Sequence, residues 1–470
     1  MRGLRVCVSF LQLASVLLFA ASQPSAPGNH IGADVIVTAA PTYVPLAELR
    51  GQERFPKGAH LLRFHEGKAE PLVPEFAASA DANVSFDGSR VIFSGKQKLE
   101  DLWQIWELTI KDRSLHKVVT TAGDAERPLY LPGGRVVYAL RTSAGFRLDS
   151  NDDGHPLSYV PLNPTTGPGE LKLAYTRGSA FPDDVLQDGR VLFESDYPLG
   201  DGTTAEMFLV YPDGSGVESY RCDHGLARWG GTQLASGDVV FTHGAGIARF
   251  TSPLAHEVRI PAPTAQYAGS VAETSSGDWL LSARTAQGAH YALTIWKPGA
   301  STMETVFAQS TEDLVEPVLL APHRIPTRFP SGLHPWNYAN LLALDARLSR
   351  EGTLPGTPTL VRLETQDEAG KAVTMGAAPV EKDGSFFIQV PGDRPIRIAL
   401  LDAKGNVLRQ EHGWFWLRGG EQRICVGCHT GPERSSDNRV PEVLLHTTTP
   451  VDLTSVHSMD LAHRAATGGR

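Results

Sequence analysis

Two cysteines and a histidine near the carboxyl end of the chain have a spacing that suits covalent chemistry. Cys425 and Cys428 are three positions apart, and His429 follows the second cysteine directly. Thiols at this spacing can form thioether bonds to the two vinyl groups of a haem, and the adjacent histidine can then bind the iron. The pattern predicts one covalent haem c held by Cys425 and Cys428, with His429 as an axial iron ligand.

The same cysteine pair has two other interpretations. A zinc site needs four ligands, but the sequence has no second closely spaced cysteine pair to supply them. A thiol redox pair should open a helix after a buried strand, whereas the Gly-Gly-Glu-Gln sequence at 419–422 is typical of a loop. Haem attachment is therefore favoured, with zinc binding and thiol redox chemistry as the alternatives.

Several residues after the motif could supply the second iron ligand. His446 is the first choice, and the other candidates are His457, Met459 and His463. A side chain at this position would favour electron transfer, whereas an open position would favour chemistry on a small molecule.

The short segment after the motif cannot enclose a haem by itself. Only 41 residues follow His429, so neighbouring domains must form part of the pocket. Trp414, Phe415 and Trp416 lie just upstream and could pack on the porphyrin, with burial in an ordinary core as the simpler interpretation.

The first residues are typical of a secretion signal. Arg2 and Arg5 precede an apolar run at 6–20, and small residues at 20–22 would permit cleavage. We therefore expect a signal peptide over residues 1–22 and a periplasmic or secreted protein. No later stretch is apolar enough to cross a bilayer, so no membrane span is expected in the mature chain.

Charge and cysteine content exclude other classes of protein. The formal net charge of −9 gives no basic surface for nucleic acid. Removing the signal removes Cys7 and leaves Cys222, Cys425 and Cys428, an odd number that argues against a disulfide framework.

A repeated turn-and-strand pattern fills the first two thirds of the chain. Each turn contains a glycine and is followed by a strand rich in β-branched or aromatic residues. The turn glycines are Gly88, Gly134, Gly189, Gly237 and Gly277. This spacing fits four-stranded propeller blades better than shorter repeats. We predict a six-bladed β-propeller over residues 31–330, closed by strands within 60–74; seven blades or an array of β-sandwiches are the alternatives.

The remainder of the chain changes character after the repeat. Residues 331–413 show hairpin signals and are predicted to form a small β-sandwich. Residues 414–470 lack clear strands and contain the cysteine motif, so they are predicted to be the haem-binding segment. The fold class expected is all-β. The acidic pairs at 152–153 and 183–184 are interpreted as solvated loops.

Several short sequences together resemble one known family. They are residues 380–386 (Val-Glu-Lys-Asp-Gly-Ser-Phe), 390–391, 401–402, 420–421 and the motif at 425–429. They resemble the alpha subunit of hydrazine synthase and the proteins that share its propeller and middle domain. The resemblance covers nearly the whole mature chain. It implies a β-propeller and a middle domain with one c-type haem; because this chain ends where that subunit continues, a second haem is not expected.

The resemblance also implies possible metal ligands. In hydrazine synthase a tyrosine four residues after the motif histidine binds the iron, while that histidine binds a zinc shared with a propeller cysteine. Glu433 occupies the tyrosine position here, which leaves iron ligation by His429 or by Glu433 open and argues against hydrazine synthesis. A retained zinc would use His429 and Cys222, although Cys222 is also explained by simple burial.

Three functions follow from these expectations. The first is an exported monohaem cytochrome that relays electrons to a redox partner protein or small molecule. The second is a haem enzyme that acts on a small nitrogen or oxygen species at an open iron. The third is a propeller that binds a partner protein.

Overall fold

The computed structural model describes residues 31–142, 145–151, 170–175, 178–196, 205–221, 227–253, 255–349, 351–427 and 437–455. Their regular secondary structure is almost entirely β-strand, so the predicted all-β class is confirmed. The described helices are one 3-10 turn at Glu48–Arg50 and one short α-helix, α1, at Glu442–His446. No described helix has the length and apolar character needed to span a membrane.

The described residues before 321 form short antiparallel strands. In chain order they are β1 Asp34–Ala40, β2 His60–His65, β3 Lys68–Pro71, β4 Ala78–Val84, β5 Arg90–Lys96, β6 Gln104–Thr109, β7 Leu115–Val119, β8 Ala125–Tyr130, β9 Val136–Thr142, β10 Gly145–Asn151, β11 Glu170–Lys172, β12 Ala180–Val185, β13 Val191–Ser195, β14 Glu206–Val210, β15 Glu218–Ser219, β16 Arg228–Gln233, β17 Val239–His243, β18 Gly246–Phe250, β19 Val258–Arg259, β20 Gln266–Tyr267, β21 Ala272–Glu273, β22 Trp279–Arg284, β23 Ala292–Trp296, β24 Glu304–Phe307 and β25 Asp313–Leu320.

These strands assemble into successive sheets of a β-propeller. Sheets β4 to β7, β8 to β11, β12 to β15, β16 to β19 and β20 to β24 each use consecutive strands. One further sheet has the order β25-β1-β2-β3, in which Val35 of β1 pairs with Leu319 of β25. The last strand thus joins the first, and the segment predicted to close the ring contributes β2 and β3.

The turn glycines hold the conformation that the sequence pattern predicts. Gly189 and Gly237 have φ values of 90° and 93°, a region that residues with a side chain avoid. The turn at Gly189 also receives the chain that leaves the propeller, because the Thr327 amide donates to Gln187 O at 2.9 Å. A side chain at position 189 would meet Thr327 O, whereas nothing lies within 4 Å of the equivalent atom at 237.

We expect Gly189→Ala to be less stable than Gly237→Ala by about 1–3 kcal/mol. Both substitutions impose similar backbone strain, so their difference isolates the clash with the chain after β25. Urea unfolding of the two variants gives this difference directly. Equal stabilities would show that residues near Thr327 are not held against the propeller.

Buried charges occupy the centre of the propeller. Strands β25, β4, β8, β12 and β16 contact one another in that order, and each carries a β-bulge. Arg54, from the loop between β1 and β2, is 2% exposed. Its Nη2 lies 2.5 Å from Asp81 Oδ1, and its guanidinium also pairs with Glu48 and Glu316.

A second buried arginine extends this group of charges. Arg127 Nη1 lies 2.5 Å from Glu194 Oε1 and 3.8 Å from Asp183 Oδ1. Asp81, Arg127 and Glu316 all have positive φ at their bulges, which turns their side chains out of the regular pleat. We call Arg54, Arg127 and the acids that pair with them the axial charge cluster.

The interpretation of residues 183–184 as a solvated loop is wrong. Both belong to β12, and only 4% of the Asp183 side chain is exposed. Asp184 Oδ2 accepts from the Gln233 amide at 2.7 Å, and burial raises the pKa of Asp184 to about 6. The turn-like Pro-Asp-Asp sequence marks a bulge at the propeller centre rather than a surface turn. Residues 152–153 lie outside the described residues.

Glu126 should make the stability of the protein depend on pH. Burial raises its pKa to about 8, with Glu48 and Asp81 adding to the rise while Arg54 and Arg141 oppose it. Between about pH 4.5 and 8 the folded state keeps this proton and the unfolded chain does not. Native stability therefore falls as pH rises through this window, by at most about 1.4 kcal/mol per pH unit.

Glu126→Gln removes this titration while keeping the shape of the protonated acid. We expect the stability of the variant relative to wild type to increase steadily from pH 5 to pH 8, as measured by urea unfolding at each pH. Glu70→Gln, at an exposed position of β3, is the control and should show no such trend. A difference that stays constant across the range would contradict the assignment.

The chain after the propeller forms a β-sandwich. Its strands are β26 Tyr338–Ala343, β27 Leu360–Gln366, β28 Ala372–Pro379, β29 Phe386–Pro391, β30 Ile396–Leu401, β31 Val407–Gln410, β32 Gln422–Cys425 and β33 Val451–Asp452. One sheet has the order β28-β27-β30-β31 and the other β32-β26-β29-β33. Buried residues from both sheets, such as Leu363 and Ile388, share one core.

The expectation that residues 414–470 lack clear strands is wrong. Strands β32 and β33 come from this stretch, and they pair in parallel with β26 and β29 respectively. Parallel pairing joins segments that are distant in sequence. It therefore has no hairpin turn by which it could be predicted from the sequence. The segment with the cysteines is therefore built into a sandwich sheet.

Propeller and sandwich are joined by a buried contact. Trp416 is 2% exposed and packs among propeller residues, and its Nε1 donates to Gly214 O at 2.9 Å. Arg418, also 2% exposed, donates to Asp213 O and lies 2.6 Å from Asp393 Oδ1. These contacts fix the strand that leads to Cys425 against the propeller.

Candidate functional site

Cys425 ends strand β32 at one end of the sandwich. It lies opposite Ala343 of β26, and its carbonyl oxygen accepts from the Leu344 amide at 2.8 Å. The side chain is partly buried, packs against the sandwich core and is not in a disulfide. Burial is the main cause that raises the pKa of this thiol, which is therefore protonated and sheltered at neutral pH.

The chain on both sides of residues 428–436 is held at the same loop. Val426 O accepts from the Asp345 amide at 3.2 Å, and Arg439 Nη2 donates to Leu344 O at 3.1 Å. Arg439 also pairs with Asp383, in the turn before β29. The predicted site residues Cys428, His429 and Glu433 lie outside the described residues.

Helix α1 is docked at this same end of the sandwich. The Glu442 amide donates to Asp383 Oδ2 at 2.8 Å and the Val443 amide donates to Ser385 Oγ at 3.1 Å. These side chains satisfy amides at the start of the helix that have no partner within it. The turn at Asp383 thus positions both α1 and the chain returning from the cysteine motif.

His446 is the last residue of α1. Its Nδ1 lies 3.1 Å from Glu381 Oε1, and this hydrogen bond raises the pKa of the imidazole. No hydrogen bond to its Nε2 occurs within the described part of the chain. A metal-binding histidine commonly gives its other ring nitrogen to a carboxylate, and His446 shares this one feature. The remaining ligand candidates, His457, Met459 and His463, lie outside the described residues.

Two apolar side chains near α1 are exposed to solvent. Val440 and Leu445, before and within α1, are 60% and 69% exposed. If a haem is attached, Cys425 would hold it by a thioether, and His446 lies at the same end of the domain. Haem supplies the one-electron chemistry that the side chains themselves lack.

The three aromatic residues before the motif are used for packing. Trp416 lies at the interface with the propeller, and Phe415 packs against the sandwich core as well as the propeller core. The Arg397 guanidinium lies 4.6 Å from the centre of the Trp414 ring. Of the two interpretations, burial in a core applies to Trp416.

The propeller segment before Cys222 borders strand β32. Arg423 Nη1 donates to Val217 O at 2.8 Å, and the Gly216 amide donates to Glu421 Oε1 at 3.3 Å. Cys222 itself lies outside the described residues. Within the described ranges, no three histidine, cysteine, aspartate or glutamate side chains converge as a metal site.

Sequence reasoning missed Arg418 and Glu421, which bridge the two domains. Glu421 Oε2 accepts from the Arg418 amide at 2.8 Å, while the guanidinium of Arg418 reaches Asp213, 205 residues away. Nothing in the local sequence indicates this contact. The Trp-Leu-Arg sequence before two glycines could have indicated that this segment is buried, but not which residues it contacts.

The fold and this site define a class: β-propeller proteins whose following β-sandwich ends in a cysteine-bearing strand. Residues 362–430 match the family described as hydrazine synthase alpha subunit middle domain. Over this stretch the chain is similar to the hydrazine synthase alpha subunit, as the resemblance in the sequence predicted.

One solved structure supports the same fold. Hydrazine synthase of Kuenenia stuttgartiensis matches with a TM-score of 0.74 at 16% identity, covering 88% of this chain and 71% of that one. TolB of Acinetobacter baumannii matches with a TM-score of 0.44 at 11% identity, covering 63% and 67%. No curated protein matches the chain significantly by sequence.

Proposed function

We propose that this protein is an exported monohaem c-type cytochrome whose sandwich carries one haem on Cys425, Cys428 and His429. The observation that carries the proposal is the position of Cys425. It is a sheltered thiol at a strand end, in a domain matched to the hydrazine synthase alpha family over 362–430. The match includes the whole Cys-x-x-Cys-His motif. The signal at residues 1–22 supports export, since thioether attachment takes place outside the cytoplasm.

Within this proposal the propeller is a six-bladed ring that supports the haem domain. Six sheets are present in the described residues between 34 and 320, and β25 joins the first of them to the end of the repeat. The ring and the sandwich contact each other through Trp416 and Arg418. The haem-bearing strand would therefore stay fixed while electrons pass to a redox partner.

In an electron-transfer cytochrome, a second side chain would bind the iron in addition to His429. His446, held by Glu381 on α1, is the proposed second ligand. A second candidate function is a haem enzyme acting on a small nitrogen or oxygen species, and the match to the hydrazine synthase family favours it. In that case His429 would bind the iron without a second side chain, or with Glu433 as a weaker ligand.

Optical spectra of the protein produced with a haem-maturation system test the proposal. Covalent haem with a spectrum unchanged by carbon monoxide would support the electron-transfer cytochrome. A carbon monoxide shift would support the enzyme instead. Absence of covalent haem in a folded, exported protein would overturn both, and zinc binding would take their place. Metal analysis of the same sample tests for zinc at His429 and Cys222.

His446→Ala tests the second ligand. If His446 binds the iron, the variant should gain a carbon monoxide shift that the wild type lacks. His412→Ala is the matched control, because His412 forms a similar exposed pair with Glu351 at 2.7 Å in the same domain. An unchanged spectrum in His446→Ala would remove this residue from the iron.

A further inference from the structure

A polar cavity of about 210 Å³ lies beside the axial charge cluster, on the side covered by the loop between β1 and β2. Its wall includes Arg54 and Phe55 of that loop, Asp81 of β4 and Glu126 of β8. It is built from the first sheets of the propeller and shares no lining residue with the end of the sandwich that carries Cys425.

The wall of the cavity carries more negative than positive groups. Five carboxylates face three basic side chains, and the basic ones are Arg54, Lys96 and Arg141. Arg54 is already engaged by Glu48, Asp81 and Glu316 of the axial charge cluster. Even with Glu126 protonated, four carboxylates of the wall face three basic side chains, and this excess of negative charge favours a cation inside the cavity.

Glu126 is the carboxylate of this wall that forms long ion pairs and, among the described residues, no hydrogen bond. Its residue is 7% exposed. The closest cationic atoms are Arg54 Nη2 at 3.8 Å and Arg141 Nη2 at 3.9 Å. A buried polar group without a partner is unfavourable by about 1–3 kcal/mol, so a donor that reaches Glu126 would bind with a substantial gain.

Aromatic rings form the apolar part of the wall. Phe55 and Trp103 both line the cavity. Lys96 Nζ lies 5.1 Å from the centre of the Trp103 ring, which shows that this ring already attracts an ammonium group. Carboxylates combined with aromatic faces are the chemistry by which proteins recognise organic ammonium ions.

We propose that this cavity binds a small organic ammonium ion, whose charged nitrogen donates to Glu126 and whose carbon atoms contact Trp103. The size is suitable, since a cavity of about 150 Å³ is enough for benzene. Glu126 is protonated in the empty cavity at neutral pH, because burial raises its pKa to about 8. A bound ammonium ion therefore replaces that proton, and binding near pH 7 releases it.

Calorimetric titration with n-butylammonium chloride tests this site on the full chain. We expect saturable binding by the wild type, with proton release detected by comparing buffers of different ionisation enthalpy. n-Butanol, which has the same chain without the charge, should not bind. Glu126→Gln should weaken the binding of n-butylammonium at least tenfold, and Trp103→Leu should weaken it as well.

Glu70→Gln is the control and should bind like the wild type. Thermal unfolding of each variant confirms that it is folded before titration. Equal binding of n-butylammonium by folded Glu126→Gln and wild type would overturn the proposal, as would absence of binding to the folded wild type. Neither result would bear on the haem, which is measured separately by its spectrum.

Discussion

Replacing Cys425 and Cys428 together by alanine will give a protein without covalently bound haem. The thioether bonds need both sulfur atoms, and no other cysteine lies near the motif in sequence. Cys425 is only partly buried at the edge of the sandwich core, so its loss removes little packing. The measurement is haem staining after denaturing electrophoresis, which detects only haem that is covalently held.

Cys222→Ala is the matched control for this experiment. It removes the remaining thiol of the mature chain and should leave covalent haem unchanged. Haem that survives denaturation in the double variant would contradict the attachment site. Circular dichroism of the double variant distinguishes loss of haem from loss of fold, and a folded variant that still binds a partner protein would favour the propeller as a docking module.

Arg54→Met will lower the free energy of unfolding by about 3–5 kcal/mol at pH 7. The substitution removes the cation shared by Glu48, Asp81 and Glu316. Asp81 and Glu316 then lose their closest cation, while Glu48 keeps Arg127 at 3.6 Å. Removing one member of a buried ion pair has an effect of this size because the remaining charge cannot reach water. Urea unfolding at constant ionic strength measures it.

The deficit of Arg54→Met should shrink at lower pH. The orphaned carboxylates then take up protons in the folded state, and a neutral acid is tolerated better than a buried charge. Arg50→Met is the control on the same loop, since Arg50 is exposed and should change stability by less than about 0.5 kcal/mol. A small, pH-independent effect of Arg54→Met would show that the cluster is hydrated.

Local patterns in the sequence were sufficient for the propeller. Each predicted turn depends on a glycine and a few neighbours, and Gly189 and Gly237 both have the positive φ that such turns require. The family resemblance was also visible, because its motifs are short and contiguous. Contacts between residues distant in sequence could not be predicted. Trp416 donates a hydrogen bond to Gly214 O, 202 positions earlier in the sequence, and no local pattern indicates that contact.

The candidate site was predicted in part for the same reason. The Cys-x-x-Cys-His spacing is local, so Cys425 could be named from the sequence. Its position at the end of β32 depends on parallel pairing with β26, some 80 residues earlier, as the Asn340 to Gln422 contact shows. The burial of Asp183 was misjudged because a bulge and a surface turn use the same residue types.

The pairing of β1 with β25 also has a consequence for how the chain folds. Thr38 and Glu316, which form a hydrogen bond across this pair, are separated by 278 positions. During synthesis β1 lacks its partner strand β25 until residues 313–320 have left the ribosome. The ring cannot close before then. Such non-local closure slows folding and exposes an aggregation-prone strand edge in the meantime.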